Sequence, residues 1–377
     1  MTESFDIAVI GAGIAGASVA AELARTHRVV MLEREEFPGY HSTGRSAALF
    51  SEIYGNSVVR ALSRASRDFF YAPPPDFAPN PLVKPRGSLY IARAEQIRHL
   101  ESFAANADLA GSIQRITPED ALRACPILRP EYVRAAVIES DAADVDVAAL
   151  HQGYLRQFRH IGGILVTHAD AEDLLHRDGS WRIKAASGEY RAKTIVNAAG
   201  AWADSLAVKA GGTALHIQPC RRTAVLVELP AGMESQGWPM VIDIDESFYL
   251  KPDAGLLLIS PADETLAAPS DVQPEEYDVA VAVDRVEQAT TLKINRVRKR
   301  WAGLRSFAPD RSPVIGYDSS LPSFFWLAGQ GGYGIQTAPA ASRFAAALLR
   351  GEQPKDMTNL IAQLSPLRFA PPARSRA

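Results

Sequence analysis

A glycine-rich turn near the N-terminus restricts the fold of this chain more than any other feature. An apolar run at residues 6–10 leads into Gly11, Gly13 and Gly16, and a second apolar run, Val29–Leu32, follows. The G-x-G-x-x-G spacing between two such runs predicts a strand, a tight turn, a helix and a second strand, which is the unit that binds dinucleotides. The glycines allow the bend, the approach of a pyrophosphate to the backbone, and close packing of the helix on the strand.

The acid at the end of the second strand narrows the choice of dinucleotide. Glu33 directly follows that strand, where a carboxylate can accept hydrogen bonds from an unphosphorylated ribose. FAD or NAD is therefore favoured over NADP. The helix N-terminus offers N–H groups and a positive dipole end to the phosphates. The residues of this unit expected to contact the cofactor are Gly11, Gly13, Ile14, Ala15, Gly16, Glu33 and Arg34.

Composition and charge exclude several classes of protein. The chain has 377 residues, 47% of them hydrophobic, which is enough for two or three domains with full cores. A net charge of −3 with scattered basic residues gives no indication of nucleic-acid binding. Cys125 and Cys220 do not make a disulfide framework. They also lack metal-ligand spacing, so no metal site is expected.

The chain is expected in the cytoplasm. Two isolated cysteines fit a reducing compartment. The apolar N-terminus contains the glycine turn, which indicates a first βα unit and not a signal peptide. No apolar run reaches the roughly 18–20 residues of a membrane span. Peripheral contact with the inner membrane is left open.

The order of elements predicts an α/β fold with a discontinuous, Rossmann-like cofactor domain. A proline-rich stretch at 72–85 interrupts the first unit, and strand–helix patterns return after residue 145. Short alternating runs over 215–262 predict an antiparallel sheet in a second, α+β domain that would bind the substrate. The predicted division assigns 1–80, 145–212 and 301–365 to the cofactor domain, 81–144 and 213–300 to the substrate domain, and 366–377 to a loose tail.

Three later stretches favour FAD over NAD. Small and hydroxyl residues at 41–48 follow the ribose acid and suit a loop that runs under a pyrophosphate. A turn at 197–203 and a glycine run at 329–334 offer two more places where backbone can approach a large cofactor. Each stretch alone has an ordinary explanation, as a helix cap or a turn. Together, after a dinucleotide fingerprint, they indicate a flavin.

These stretches resemble the FAD-dependent D-amino acid oxidase superfamily, and most closely the bacterial D-arginine dehydrogenases. The fingerprint is shared by many flavoproteins, but residues 39–48, 245–253, 301–307 and 331–337 together are specific. The resemblance covers nearly the whole chain. It implies that FAD is further contacted by His41, Ser42, Thr43, Ser46, Ala47, Ala48, Ala199, Gly200, Trp202, Gly331, Gly332, Tyr333, Gly334, Ile335, Gln336 and Thr337.

The resemblance also implies a reaction. Members of the group transfer hydride from the α carbon of a D-amino acid to flavin N5, and water hydrolyses the imino acid to a 2-oxo acid and ammonia. Some sarcosine-oxidase relatives attach flavin through a C-terminal cysteine. Because neither cysteine of this chain lies near the 329–337 turn, noncovalent FAD is expected. The electron acceptor stays open between a quinone or other carrier and oxygen.

A carboxylate clamp is the part of the site with the clearest chemical reason. The resemblance places Tyr54, Arg222, Tyr249 and Arg305 at positions that bind the substrate carboxylate, because a guanidinium can grip a carboxylate with two hydrogen bonds. Arg305 is the strongest candidate on chemistry alone, since it lies in an apolar run where a charge needs a partner. Without the resemblance, Arg222 fits an ion pair or the surface and Tyr249 fits the core. Gly332 is expected to offer its carbonyl to the amine.

Two departures from the D-arginine-type pattern bear on the side chain of the substrate. Those relatives have an acid after their Pro-Arg segment and a histidine after Ser-Ala-Ala, where this chain has Ser88 and Leu49. Without the acid, a cationic substrate side chain has no charge partner, and an unpaired buried cation is costly. The departures therefore predict a preference for neutral, apolar substrates.

Other functions remain open at this point. One alternative is an oxidase of glycine, sarcosine or a cyclic imino acid such as proline. Another is a dehydrogenase of a 2-hydroxy acid or of glycerol phosphate, which would need a base for the hydroxyl, and a non-enzymatic flavin module is the last. Six further histidines have no visible partner in the sequence and are expected at surface or helix positions: His99, His151, His160, His168, His176 and His216.

Overall fold

Three β-sheets organise the computed structural model, which describes residues 3–370. Two of the sheets are large and one has three short strands. The strands in chain order are β1 (Glu3–Ile10), β2 (Val29–Leu32), β3 (Leu49–Phe50), β4 (Val83–Pro85), β5 (Ser88–Ala92), β6 (Gln114–Ile116), β7 (Ala135–Glu139), β8 (Ala143–Val145), β9 (Ile164–Val166), β10 (Ala171–Arg177), β11 (Ser180–Ala185), β12 (Gly188–Asn197), β13 (Gln218–Val227), β14 (Met240–Asp243), β15 (Tyr249–Asp253), β16 (Leu256–Ser260), β17 (Thr265–Leu266), β18 (Val297–Phe307), β19 (Val314–Tyr317), β20 (Phe324–Ala328) and β21 (Gln330–Gly331).

Helices cover the sheets. None of those in the described part of the chain is long and apolar enough to cross a membrane. In chain order they are α1 (Ile14–Leu23), α2 (Ser57–Tyr71), α3 (Ile97–Ala104), α4 (Pro118–Ala124), α5 (Val147–His160), α6 (Ala203–Lys209), α7 (Glu276–Ala289), α8 (Gly334–Leu349) and α9 (Ile361–Leu364).

The first large sheet has a parallel centre in the order β9-β2-β1-β12-β20. Its central strands are almost continuously apolar because both faces are covered. Helices α1, α5 and α8 pack on one face and α6 on the other. The hairpin β10–β11 pairs with the first half of β12, and β19 runs antiparallel to β20. This arrangement confirms the predicted Rossmann-like α/β domain.

The glycine turn explains how α1 comes so close to β1. A Cβ atom on Gly16 would lie 1.8 Å from the carbonyl oxygen of Gly11, and one on Gly11 would lie 2.5 Å from that of Ala198. Gly11 also has a φ of 102°, which residues with a side chain rarely adopt. Glycine is therefore required at both positions for the helix to pack on the sheet.

The second large sheet has the order β21-β18-β13-β16-β15-β14-β5-β7-β6, with β17 beside β13. Its neighbours are antiparallel with one exception, the parallel pair β5–β14, in which Ser88 lies opposite Met240. The prediction of a sheet-rich second domain is confirmed, and the strands within 215–262 pair antiparallel with one another as predicted. Because β5 lies in the predicted substrate segment 81–144 and β14 in the segment 213–300, the sheet joins two distant parts of the chain.

The strand β18 links the two large sheets. It lies between β13 and β21 in the mixed sheet. At its end Ser306 and Phe307 pair with Gly331 and Gln330 of β21, which follows β20 of the parallel sheet and precedes α8 in the chain. In the chain, β18 follows α7 after a connection over residues 290–296. The domain boundaries themselves, including the one at 300, stay predictions.

The first residues of the predicted loose tail, 366–377, have a local structure. Residues Pro366–Phe369 form a 3-10 turn, and the guanidinium of Arg368 contacts the carboxylate of Asp310 at 2.7 Å. The expectation for the start of the tail is therefore corrected. Its last part, from residue 371, lies outside the described residues.

Replacing Gly16 with alanine tests the close contact between helix and strand. The new methyl group would meet backbone atoms that cannot move aside, so Gly16→Ala is expected to lower the free energy of unfolding by about 3 kcal/mol. The control is Gly237→Ala, an exposed position with no atom within 4 Å of the added Cβ, expected to change stability by less than about 0.5 kcal/mol. Denaturant unfolding measures both, and equal effects would contradict the packing argument.

Candidate active site

Three cavities adjoin in a row from the parallel sheet to the mixed sheet. The first and second share Gly13, Thr43 and Gly200, and the second and third share Arg305 and Gly332. The third opens into a wider vestibule that shares Tyr54, Arg222 and Glu246 with it. The predicted residues that line the first cavity are Gly11, Gly13, Glu33, Arg34, His41, Ser42, Thr43, Ala199, Gly200 and Trp202. The second adds Ile14, Ala15, Ser46, Ala47, Arg222, Tyr249, Arg305, Gly331, Gly332, Gly334 and Ile335, and the third adds Ala48, Leu49, Tyr54 and Gln336.

Side chains from neighbouring loops hold the glycine turn at the first cavity. Glu33 accepts the N–H of Ala12 at 2.7 Å while its side chain also faces the cavity. Thr43 accepts the N–H of Ile14 at 3.0 Å, which caps α1 where Gly13 has no side chain. The acid predicted to bind the ribose therefore also shapes the turn, a contact that the sequence pattern does not indicate.

An aromatic and cationic wall closes the far side of the first cavity. The guanidinium of Arg34 lies 4.8 Å above the ring of Trp202, and the ring of His41 lies 4.7 Å from the same indole. His41 is itself held by Glu35, with 2.9 Å between Nε2 and Oε1. This wall offers a flat surface beside the carboxylate of Glu33.

A buried histidine supports the same turn from behind. His151 on α5 is 4% exposed, and its Nε2 lies 2.8 Å from the carbonyl oxygen of Ala12. A Cβ on Gly39 would lie 2.8 Å from its ring, so this position needs glycine to make room. His151 lies on a helix, as expected, but it has a hydrogen-bond partner, which the sequence did not indicate. Only the packing of α5 against α1 reveals the contact.

Arg305 lies where the second and third cavities meet. One of its terminal nitrogens donates to the hydroxyl of Tyr54 at 3.0 Å. Within residues 3–370 no carboxylate forms an ion pair with it. A Cβ on Gly332 would lie 2.9 Å from the guanidinium carbon, so the backbone of that turn lies directly against the charge. A cation below the surface without a counter-ion creates a strong preference for an anion in the cavity.

Arg222 has a different environment although it lines the same cavities. Its Nε donates to the carbonyl oxygen of Asp263 at 2.8 Å, and a terminal nitrogen lies 3.1 Å from Glu264. Glu264 is also paired with Arg311 at 2.9 Å. Arg222 therefore shares its acid partner with Arg311, and its charge is only partly offset before any ligand binds. Its neighbour Arg221 does not line these cavities and forms buried ion pairs with Asp263 and Asp278.

The walls of the third cavity are mainly apolar. Leu49, Met240 and Ile242 line it, which agrees with the prediction for Leu49. Ser88 does not line any of these cavities: it is fully buried, and its hydroxyl donates to Glu139 at 3.0 Å. The predicted contact between Ser88 and the substrate side chain is therefore corrected.

An acid that the sequence analysis did not select lies at the rim of this cavity. Glu246 is exposed, lines both the third cavity and the vestibule, and has a φ of 52° at the tip of the turn between β14 and β15. The sequence could have indicated Glu246 because it lies in the matching segment 245–253, three residues before Tyr249.

Three predicted cofactor residues act behind the cavities instead of lining them. Gly16 packs α1 on β1. The hydroxyl of Thr337 donates to the carbonyl oxygen of Tyr333 at 2.8 Å inside α8. Tyr333 lines the vestibule and packs edge-on against Tyr54, with 4.9 Å between ring centroids. Tyr333 and Thr337 shape the turn after β20, and Gly16 shapes the contact of α1 with β1, so direct contact with a cofactor is not supported for these three residues.

The first two cavities have the features that a dinucleotide with a large second half requires. Gly11 leaves no room for a side chain, the N-terminus of α1 faces the junction of the cavities, and an acid and an aromatic wall lie at the outer end. The inner end lies against Ala47 and Gly331, beside Arg305. Both described cysteines are buried and neither lines these cavities.

Comparisons with known proteins agree with this fit. A sequence profile described as FAD dependent oxidoreductase (DAO) matches residues 6–348. The glycine oxidase of Geobacillus kaustophilus is 23% identical over 372 residues, covering 94% of this chain and 95% of the relative. That of Pseudomonas aeruginosa is 27% identical over 367 residues, covering 92% and 95%. The crystal structure of L-proline dehydrogenase from P. horikoshii has a similar fold, with a TM-score of 0.83, 24% identity and 98% of each chain covered.

The buried histidine predicts a pH dependence of stability. Burial lowers the pKa of His151, so the unfolded chain binds this proton more tightly than the folded protein. The free energy of unfolding should therefore fall as the pH drops below about 6.5, the usual histidine pKa. His151→Gln should remove on the order of 1 kcal/mol of this loss between about pH 7.5 and pH 5.5.

The control for this effect is His160→Gln, an exposed position at the end of the same helix. It should keep the wild-type pH dependence. Denaturant unfolding at several pH values measures the three proteins. Parallel curves for the wild-type protein and His151→Gln would show that His151 does not titrate differently on folding.

Proposed function

The chain belongs to the DAO family of FAD-dependent oxidoreductases, and we propose that it oxidises an α-amino acid in the third cavity. FAD is its cofactor. The D configuration of the substrate, and with it the assignment as a D-amino acid dehydrogenase, is proposed on the resemblance to the bacterial D-arginine dehydrogenases. We place the enzyme in the cytoplasm as part of the same proposal.

The uncompensated charge of Arg305 is the observation that carries the proposal. A cation that already has an acid partner has little need of a further anion, as Arg222 does with Glu264. Arg305 has only the neutral hydroxyl of Tyr54 among the described residues. A substrate carboxylate would supply the missing negative charge and two acceptors for the guanidinium. In an α-amino acid, the carboxylate is bonded directly to the α carbon, which is the carbon that is oxidised.

The residues around Arg305 would orient the substrate for the reaction. Bound FAD supplies the hydride acceptor. Arg305, Tyr54 and Tyr249 would hold the carboxylate, and the carbonyl of Gly332 would accept a hydrogen bond from the amine. A substrate fixed at both groups can present its α C–H in one direction only, which supplies rate through orientation instead of through a strong base. Arg222 would add a second, weaker contact to the carboxylate.

The walls of the third cavity support a preference for neutral side chains. Leu49, Met240 and Ile242 present apolar surface, whose burial stabilises an apolar side chain by about 25 cal/mol per Å². Glu246 lies at the exposed rim, where water weakens its attraction for a cation. Ser88 does not contribute to this preference, because it does not line the cavity and its hydroxyl is bound to Glu139.

A second candidate is oxidation of glycine or a cyclic imino acid. Two relatives are named glycine oxidase, and the solved structure with a similar fold is named L-proline dehydrogenase. The opening of the third cavity into the vestibule favours substrates with a side chain over glycine, because the cavity does not end at the clamp. The choice between dehydrogenase and oxidase depends on the electron acceptor, which is a separate measurement.

Removing the charge of Arg305 tests the clamp. Arg305→Met keeps the length of the side chain without the donors, so kcat/KM for the preferred amino acid should fall roughly 1000-fold. The flavin absorbance of the purified protein should stay the same. Arg300→Met on the same strand, at an exposed position paired with Glu276, is the control and should keep wild-type kinetics. Similar kinetics for both variants would remove the clamp from the mechanism.

A substrate panel tests the reaction and its selectivity. Anaerobic bleaching of the flavin reports hydride transfer whatever the acceptor, and the panel should include D- and L-amino acids, glycine, sarcosine, proline, a 2-hydroxy acid and glycerol phosphate. We expect apolar D-amino acids to bleach the flavin fastest. A clear advantage for D-arginine or D-lysine would contradict the neutral preference, and bleaching by glycine or proline alone would favour the second candidate.

A further inference from the structure

Glu139, at the end of β7, is a buried acid that the proposed reaction does not yet use. The residue is 2% exposed, and within residues 3–370 no cation forms an ion pair with it. Its carboxylate accepts hydrogen bonds from the hydroxyl of Ser51 at 2.7 Å, the hydroxyl of Ser88 at 3.0 Å and the N–H of Glu52 at 2.9 Å. Burial raises its pKa, and these three donors act in the opposite direction.

The contacts of Glu139 join the mixed sheet to the wall of the third cavity. Ser88 lies directly opposite Glu139 in the β5–β7 pair, so both side chains point to the same face of the sheet. Ser51 lines the third cavity, whereas Glu139 lies behind it. The carboxylate is therefore separated from the cavity by a single hydroxyl-bearing residue.

The segment that Glu139 holds, residues 51–54, has no strand or helix of its own. Its hydrogen bonds therefore have to come from side chains. Besides Glu139, the amide oxygen of Gln336 accepts the N–H of Ser51 at 3.3 Å, and Arg67 contacts the side chain of Glu52 at 2.6 Å. At the other end of the segment, the hydroxyl of Tyr54 accepts a hydrogen bond from Arg305.

We propose that Glu139 is a positioning residue, which fixes segment 51–54 and thereby sets the hydroxyl of Tyr54 against Arg305. The claim rests on the proposed function, in which this pair binds the substrate carboxylate. A carboxylate is well suited to the task, because it can accept all three hydrogen bonds at once. Without it, Ser51, Ser88 and the N–H of Glu52 would lose a buried partner together, and the segment could shift toward water.

Three variants of the FAD-loaded enzyme test the inference. Glu139→Ala should increase hydrogen–deuterium exchange in peptides covering residues 49–56 and lower kcat/KM about tenfold or more, mainly through KM. Glu139→Gln should restore most of both, since its amide can accept from Glu52 and donate to the two hydroxyls. Ser88→Ala is the matched control: it removes one contact of Glu139 but none of segment 51–54, so both readouts should stay close to wild type.

Two results would overturn the positioning role. One is unchanged exchange over residues 49–56 in Glu139→Ala, and the other is faster exchange with kcat/KM and KM unchanged. If that variant does not fold, Ser51→Ala removes one of the same hydrogen bonds, and the same two results apply to it. A wild-type enzyme that reacts with no amino acid would instead contradict the proposed function, while the exchange measurement would still decide whether Glu139 holds the segment.

Discussion

Arg305 holds a positive charge below the surface, and no acid within residues 3–370 forms an ion pair with it. The rest of the site is arranged around this charge. Arg305 reaches this position because the end of β18 pairs with β21, which directly follows β20 of the parallel sheet in the chain. The cation would be destabilising in a sealed interior. It is tolerated at the junction of two cavities, where a ligand or water can reach it, and it is oriented there by Tyr54. Binding of an anion then offsets the free-energy cost of burying this charge without a counter-ion.

The same strand connects the cofactor side to the substrate side. Ser42 donates to the carbonyl oxygen of Leu304 at 2.6 Å, and Trp301 donates to that of Arg45 at 3.0 Å, so the loop after the ribose acid is attached to β18. Cofactor and substrate contacts therefore share one rigid element. The two arginines on neighbouring strands also differ: Arg222 shares the carboxylate of Glu264 with Arg311, whereas no acid in the described part of the chain forms an ion pair with Arg305.

Local patterns predicted most of the first domain and part of the site. The structure has a strand, a turn and a helix around Gly11 and Gly16, where the sequence indicates them. Such a unit can be recognised from local patterns because glycine geometry and apolar periodicity act over short distances. The clamp candidates Arg222 and Arg305 do line one cavity, although they were identified by resemblance more than by pattern. The prediction for Ser88 is wrong, since a strand alone does not say which neighbour faces it.

The sequence by itself indicated that this chain folds around a dinucleotide turn, because the spacing of the glycines allows the tight turn and the close packing of the helix on the strand. Tertiary structure alone decided which groups lie beside the buried polar and charged side chains. Ser88 meets Glu139 through the pairing of β5 with β7, His151 meets Ala12 through the packing of α5, and Glu264 comes to Arg222 from a loop about 40 residues away. The free energy of a charge depends on its neighbours in space, and those neighbours are brought together only by the complete fold.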